Sequence, residues 1–492
     1  MKKTILAVTL LLACLFSFAA CSVEPNDYGF GPSFYYGKTD IASNENYNYD
    51  EIIENGFSET STENTSYFSL DRNTAAYGYM RRQIEDGLTI NKNSVRLEEY
   101  INYFNYDYAR PIDGNALALQ GSLYDCPWNG EHKLLSVGVA AEEISFENRK
   151  TNNIVFLIDT SGSMYGDDRL GLIQQAFTML TECLADGDYV SIVTYAGDSR
   201  TALDGARGTE KLRIANVLQD LQAGGSTNGA GGIEQAYKVA EKYFDASYNN
   251  RVIIATDGDF NVGESSTEGL KALISQKRES GIYLSVLGVG MYNTNDKTMN
   301  TLAQNGNGNY AYLDSVAEAR KALVEEMCGT LNVVAKDAKA GVVFNKDVVK
   351  SYRLIGYESK MMSQEEFEDE NKDAGEIGSG HTVTAVYEIE LNPQAEGTVA
   401  EIEVKYKDPS TEASKSVVKT IATSDYTSAP SEDDVFIGCV VEYGLLLRQS
   451  EYKADASFAS VLARLNKLQC VQDDAFKEEF FNIVQKATRN YE

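Results

Sequence analysis

At 492 residues the chain is longer than one hydrophobic core normally serves, so two or three domains are expected. Its formal net charge of −29 disfavours nucleic acid and anionic lipid surfaces as partners and makes a cation the natural counter-ion. Only two histidines, His132 and His381, and no C-x-x-C pair leave little material for a His-based hydrolytic triad or a soft-metal centre.

Met1 to Ala20 carries two lysines, an apolar run from Ile5 and a small-residue end, so residues 1–20 read as a secretory signal peptide, not a membrane span. Phe18-Ala19-Ala20-Cys21 resembles a bacterial lipobox, which would make Cys21 the lipidated first residue. Leu11-Leu12-Ala13-Cys14 competes, but it would leave an apolar core of only nine residues. Residues 21–67, rich in Asn, Ser, Glu, Tyr and Gly without an apolar period, read as a flexible tether with a reach of about 35 to 40 Å. Residues 68–149 then predict two helices, Asp71 to Glu85, stopped by Gly87, and Ser94 to Phe104, with Leu97, Ile101 and Phe104 on one face. Strands follow at Ala116 to Tyr124 and Leu134 to Ala141, with Trp128 between them as a core anchor.

Between residues 150 and 331 strands and helices alternate, which predicts an α/β domain with a doubly wound, mainly parallel sheet. Strands are expected at Asn153 to Ile158, Asp188 to Tyr195, Thr201 to Leu203, Arg251 to Thr256, Tyr283 to Val289 and Gly308 to Tyr312. Helices are expected at Arg169 to Ala185, Glu210 to Leu221, Gly229 to Asp245, Glu268 to Ser280, Asp296 to Asn305 and Ser315 to Gly329. The third shows a stripe of Ile233, Ala236, Tyr237, Ala240 and Phe244 for the sheet. The first strand is apolar throughout, as a strand covered on both faces must be, and it ends in Asp159, Ser161 and Ser163, a D-x-S-x-S spacing. One carboxylate and two hydroxyls from a single tight loop offer oxygen only, which suits Mg²⁺, Mn²⁺ or Ca²⁺. Gly224-Gly225-Ser226-Thr227-Asn228 follows downstream, and the strand at Arg251 to Thr256 ends in Asp257-Gly258-Asp259.

After Cys328 the period changes to two, in Thr382 to Leu391 and Glu401 to Lys407, predicting half-exposed antiparallel sheet over residues 332–425. Strand patterns on both sides of the α/β region imply one β-sandwich closed from both flanks, with the α/β domain inserted. The acidic stretch Ser363 to Glu376 reads as solvated surface, because Ala374 stands where a calcium loop needs glycine. Residues 426–492 carry three helical stripes, including Phe458, Val461, Leu462, Leu465 and Phe476, Phe480, Ile483, Val484.

Asp159, Ser161, Ser163, Thr227 and Asp257, in this order and spacing, resemble the metal-ion-dependent adhesion site of von Willebrand factor type A domains. Outside the α/β region, FSLDRNTAAYGYMRRQIEDG, VRLEEYINYFNYDY, YRLIGYE and KDAGEIGSGHTVTAVYEI resemble the bacterial lipoproteins of this family. The resemblance implies a Rossmann-like fold and a divalent cation, Mg²⁺ first. Ser161, Ser163 and Thr227 would be direct ligands, and Asp159 and Asp257 would complete the site directly or through water. It further implies a protein partner presenting an Asp or Glu carboxylate, in adhesion or another protein–protein interaction, by an exported protein anchored to the cell membrane or envelope through Cys21. No enzymatic activity is expected. The alternatives are a metal-dependent hydrolase, with Asp257 and Asp259 as acid and base, and an assembly scaffold for an ATPase. In this fold the helices of Cys183 and Cys328 are neighbours, and Cys439 and Cys470 lie on two terminal helices, so pairing is open. Small buried hydrophobes are the preferred role for the cysteines.

Overall fold

The computed structural model describes residues 49–112, 114–145, 148–258, 267–290, 295–326 and 331–491. The chain is in place well before the expected end of the tether. Asn55 donates from its side chain to the Leu354 and Gly356 carbonyls at 3.1 and 2.9 Å, and Thr60 Oγ1 donates to Val349 O at 2.6 Å. Two short strands, β1 (Ser58–Glu59) and β2 (Thr65–Ser69), each pair antiparallel with strands far along the chain. The tether is therefore corrected for residues 49–67; residues 21–48 lie outside the described residues. This segment is held largely by backbone and short polar side chains, which leave no apolar period to read.

Helix α1 (Ala75–Glu85) begins at Ala75 rather than Asp71, because the preceding residues are engaged elsewhere. Arg72 reaches the Asn102 carbonyl and Glu326, and the Thr74 N–H donates to Tyr310 O. The second expected helix breaks into a 3-10 turn at Lys92–Ser94 and a short α2 (Leu97–Ile101), with Leu97, Ile101 and Phe104 all buried. Strands β3 (Leu117–Asp125) and β4 (Lys133–Ala141) pair antiparallel, and Trp128 between them is buried with Nε1 donating to Glu388.

The inserted domain contributes β5 (Asn152–Asp159), α3 (Leu170–Glu182), β6 (Tyr189–Tyr195), β7 (Ser199–Arg207), α4 (Lys211–Gln219) and α5 (Gly229–Lys242). It continues with β8 (Asn249–Thr256), α6 (Thr267–Arg278), β9 (Tyr283–Gly288), α7 (Asp296–Asn305), β10 (Tyr310–Tyr312) and α8 (Val316–Arg320). Its sheet runs β10-β9-β8-β5-β6-β7, parallel except for the antiparallel edge strand β7. Alternate residues of β5 serve opposite faces. Ile154, Phe156 and Ile158 share a core with Ile173, Ala176 and Phe177 of α3, whereas Val155 and Leu157 share one with Ile233, Ala236 and Tyr237 of α5. Two sequence expectations fail here. Phe244 does not face the sheet but is 42% exposed, because α5 ends at Lys242 and the chain turns off its end. The expected helix from Ser315 to Gly329 is α8 followed by a π turn at Lys321–Glu325, with Lys321 paired to Glu326.

Beyond the insertion come β11 (Val333–Phe344), β12 (Val349–Ile355), α9 (Gln364–Glu368), β13 (Gly375–Gly378), β14 (Thr382–Leu391), β15 (Thr398–Lys407), β16 (Ser414–Ala422) and β17 (Tyr426–Thr427). One sheet has the order β1-β12-β14-β4-β3-β17 and the other β13-β11-β15-β16, with β2 also on β11. Strands on either side of the insertion meet directly: β4 and β14 pair from Thr382↔Ala140 to Ile389↔Lys133. Both sheets feed one core that includes Leu135, Val137, Val383, Ala385, Val342 and Val404. The acidic stretch is only partly solvated: Ser363 caps α9 with a capping box, Phe367 is buried, and Glu376 is buried in β13 with its carboxyl raised well above the usual range by burial. The chain closes with α10 (Glu432–Arg448), α11 (Phe458–Leu465), α12 (Gln469–Asp473) and α13 (Ala475–Tyr491), one element more than the stripes suggest, because α12 is too short to show one. Tyr77, Tyr100 and Phe104 of the N-terminal helical region share their core with Phe436, Val461, Phe480 and Val484. Among the described cysteines, Cys126, Cys439 and Cys470 are free thiols, and Cys183 donates from Sγ to Met179 O at 3.6 Å; Cys328 lies outside the described residues.

Candidate metal centre

The loops after β5 and β8 and the loop between α4 and α5 gather at the C-terminal edge of the parallel strands, the place where open α/β sheets bind ligands. Asp159, the last residue of β5, is fully buried. Its Oδ1 accepts the Ser161 N–H at 2.9 Å and its Oδ2 accepts from Thr256 Oγ1 at 3.0 Å, which ties the ends of two parallel strands together. The 3-10 turn Gly162–Met164 brings Ser161 Oγ to 3.0 Å from Ser163 Oγ while Met164 enters the core. Arg169, just before α3, holds this turn from behind by donating to Ser163 O at 2.8 Å.

The second loop is clamped against the first through its backbone: Gly162 N–H donates to Gly225 O at 3.0 Å and Gly224 N–H to Thr160 O at 2.8 Å. A side chain at position 162 would stand 3.3 Å from Gly225 O, so glycine permits this approach. Thr227, in the same loop, is buried, and Asn228 caps α5 by accepting from Gly231 N–H. The third loop begins with Asp257, only 3% exposed, and turns at Gly258 with φ +89°. A Cβ on Gly258 would lie 2.6 Å from the backbone nitrogen of Asn295, the N-cap of α7.

The structure thus places Asp159, Ser161 and Ser163 in one hydrogen-bonded group, brings Asp257 close enough for its charge to act on Asp159, and seats the Thr227 loop against the Ser161 turn. Asp259 and Cys21 lie outside the described residues. Burial pushes the Asp159 carboxyl up to about 6, and the charge of Asp257 adds to the push, while hydrogen bonds from Ser161 and Thr256 oppose it. A buried carboxylate whose ionisation is opposed by burial and by the charge of Asp257, ringed by neutral hydroxyls, forms with it a donor set that a small hard dication would relieve. Among the described residues no group of three or more His, Cys, Asp or Glu side chains gathers as a metal cluster, so the set is hydroxyl-rich and unsuited to a soft metal. Thr256, Arg169 and Tyr195 are participants that the sequence patterns do not single out. The Tyr195 phenol, raised by burial and by neighbouring Asp159, closes the site from the end of β6, and a hydroxyl residue directly before Asp257 is the only visible hint of Thr256.

A doubly wound sheet with this three-loop site defines the inserted region as a von Willebrand factor type A domain, whose family model matches residues 153–326. A model described as von Willebrand factor matches residues 43–136, and one described as "Uncharacterized protein YfbK, C-terminal" matches residues 329–489. The Escherichia coli (strain K12) protein "Uncharacterized protein YfbK" is 36% identical over 478 residues, covering 91% of this chain and 82% of that protein. The chain belongs to the YfbK family of type A domain proteins. Inter-alpha-trypsin inhibitor heavy chain H3 of Bos taurus is 31% identical over 127 residues, which is 24% of this chain and 14% of that one. Among solved structures, "von Willebrand factor type A from Catenulispora acidiphila" has 16% identity and a TM-score of 0.45, covering 76% of this chain and 91% of that one.

Proposed function

We propose that this protein is an exported, lipid-anchored cell-envelope protein that binds a protein partner through a divalent cation, Mg²⁺ first, held by Asp159, Ser161, Ser163, Thr227 and Asp257. The observation that carries the reading is the buried pair Asp159 and Asp257 set among hydroxyls at the ends of β5 and β8. When bound, the ion supplies a Lewis-acidic centre that an incoming carboxylate can complete. The chain's own residues do the rest. Thr256 and the Ser161 N–H fix the Asp159 carboxylate, Arg169 holds the Ser161–Ser163 turn, and the Gly162–Gly225 contact keeps the Thr227 loop in place. Binding rather than turnover is favoured because neither histidine is at this site. His132 accompanies Glu388 in the sandwich, and His381 is buried beside β14.

Calorimetry with Mg²⁺, Mn²⁺ and Ca²⁺, followed by partner capture with and without EDTA, tests the reading. Wild-type protein should take up one of these ions at millimolar concentration, and Asp159→Ala should lose both uptake and cation-dependent capture while keeping its fold. Wild-type protein that takes up none of the three, or Asp159→Ala protein that captures equally well in EDTA, would refute it. The anchor at Cys21 is tested by membrane fractionation, where recovery of the wild-type protein in the soluble fraction counts against it.

A further inference from the structure

The rim of the centre is unevenly furnished, and a role for that rim in choosing the partner rests on the cation proposed at its middle. Tyr165 closes the Gly162–Met164 turn. Its N–H donates to Gly162 O at 3.3 Å and Met164 beside it is buried, yet its own side chain is 81% exposed. Among the described residues no large apolar or aromatic side chain is barer. An aromatic ring left in water on a backbone already fixed is a low-entropy contact for a partner. The second loop offers the opposite: Gly224, Gly225 and Ser226 are exposed, and nothing lies within 4 Å of where a Cβ on Gly224 would stand. A partner's backbone can come close there.

Charge then decides which partner. Asp167 and Asp168, following Tyr165, are exposed, and so is Asp198 in the turn bonded to Asn228 through Ala196. Arg169 is engaged with Ser163 O, and Arg200, an exposed cation, stands in β7 just past the Asp198 turn and not in these loops. A carboxylate drawn by the metal is therefore repelled by its surroundings unless its own neighbours are cationic. We propose that the partner is a protein loop in which an Asp or Glu is directly flanked by Lys or Arg. The acid completes the cation, the base meets Asp167 and Asp168, and the loop packs on the Tyr165 ring with its backbone over the Gly224–Ser226 rim. A guanidinium flank also gains from the face of that ring.

Panning a random peptide library on the full chain in millimolar Mg²⁺, and again in EDTA, tests this. The expected result is Mg²⁺-dependent enrichment of peptides with an acid beside Lys or Arg. Tyr165→Ala should weaken the enriched peptides by about tenfold or more, Tyr165→Phe should restore them, and Asp167→Asn with Asp168→Asn should admit peptides with acids alone. Enrichment of peptides without a basic flank, no enrichment at all, or unchanged binding to Tyr165→Ala overturns the inference. Calorimetric Mg²⁺ uptake on the same preparations separates the two levels. Protein that takes up no Mg²⁺ ends the cation reading, whereas protein that takes it up and enriches other sequences ends only the basic-flanked loop. A melting midpoint like wild type shows that Tyr165→Ala is folded.

Discussion

Two buried carboxylate clusters in this molecule meet opposite fates. In the seam between the helical layer and the inserted domain, Arg81 of α1 lies 2.6, 2.8 and 2.9 Å from Asp314, Glu318 and Glu479, and also donates to the Tyr103 hydroxyl at 2.8 Å. At the ends of β5 and β8, Asp159 and Asp257 are as deeply buried as Asp314 and Glu318, but the groups that meet Asp159 are the Ser161 N–H and the Thr256 hydroxyl. A buried charge neutralised by the fold itself is a clamp. One met by neutral dipoles leaves its charge for a ligand to balance.

Removing the clamp's cation should have the largest effect. Arg81→Ala leaves Asp314 and Glu318 buried without their counter-charge and should cost about 3 to 5 kcal/mol in urea unfolding. A loss below about 1 kcal/mol would place the seam with solvent-screened surface pairs and erase the contrast.

The centre should respond to cation and proton instead. Mg²⁺ at a hundredfold its Kd should stabilise wild type by about 2.7 kcal/mol and Asp159→Asn not at all. Because burial pushes Asp159 up to about 6, the folded cation-free state keeps a proton that the unfolded chain has already released. Its stability should fall as pH rises from the ordinary carboxylate range to about 6, by about 3 kcal/mol in all, and stay level above. Mg²⁺ competes with that proton, so its affinity should weaken about tenfold for each pH unit below about 6. Thermal melts with and without Mg²⁺ across this range read both effects, and a flat profile would make the centre another internally balanced cluster.

The smallest effect belongs to an exposed pair that neither buries charge nor holds a ligand. Lys297 and Asp50 sit 2.6 Å apart with Asp50 largely in solvent. Lys297→Ala should change the unfolding free energy by less than about 0.5 kcal/mol. A larger change would mean that the N-terminal segment near residue 50 is tied to α7 more firmly than one surface contact allows.

Period and punctuation make much of this molecule legible from its residues. The unbroken apolar run of β5 announces a strand covered on both faces, and its two cores, on α3 and on α5, are the physical content of that pattern. Alternation in β14 and β15 announces antiparallel sheet, and the β4–β14 register shows why strand patterns on both sides of the insertion belong to one sandwich. Elements held by backbone or short side chains stay hidden. β1 and β2 have the composition of a tether, and α12 is too short to form a stripe. Phe244 continues the sheet-facing stripe of α5 in sequence yet leaves it in space, because helical period says nothing about where a helix stops.

By itself the sequence determined the repertoire: which strands are buried on both faces, which loop carries hydroxyls after a carboxylate, and which glycines allow backbones to approach. These follow from local spacing, since period and turn chemistry act within a few residues. Only the tertiary structure decided the consequences that depend on burial and on partners distant in the chain. It set Thr256 against Asp159 across 97 positions, gave Asp257 a charge to oppose, surrounded Arg81 with acids from other elements, and left Tyr165 bare beside the centre. Electrostatic cost depends on the dielectric and charges around a group, and packing, not spacing along the chain, creates those surroundings.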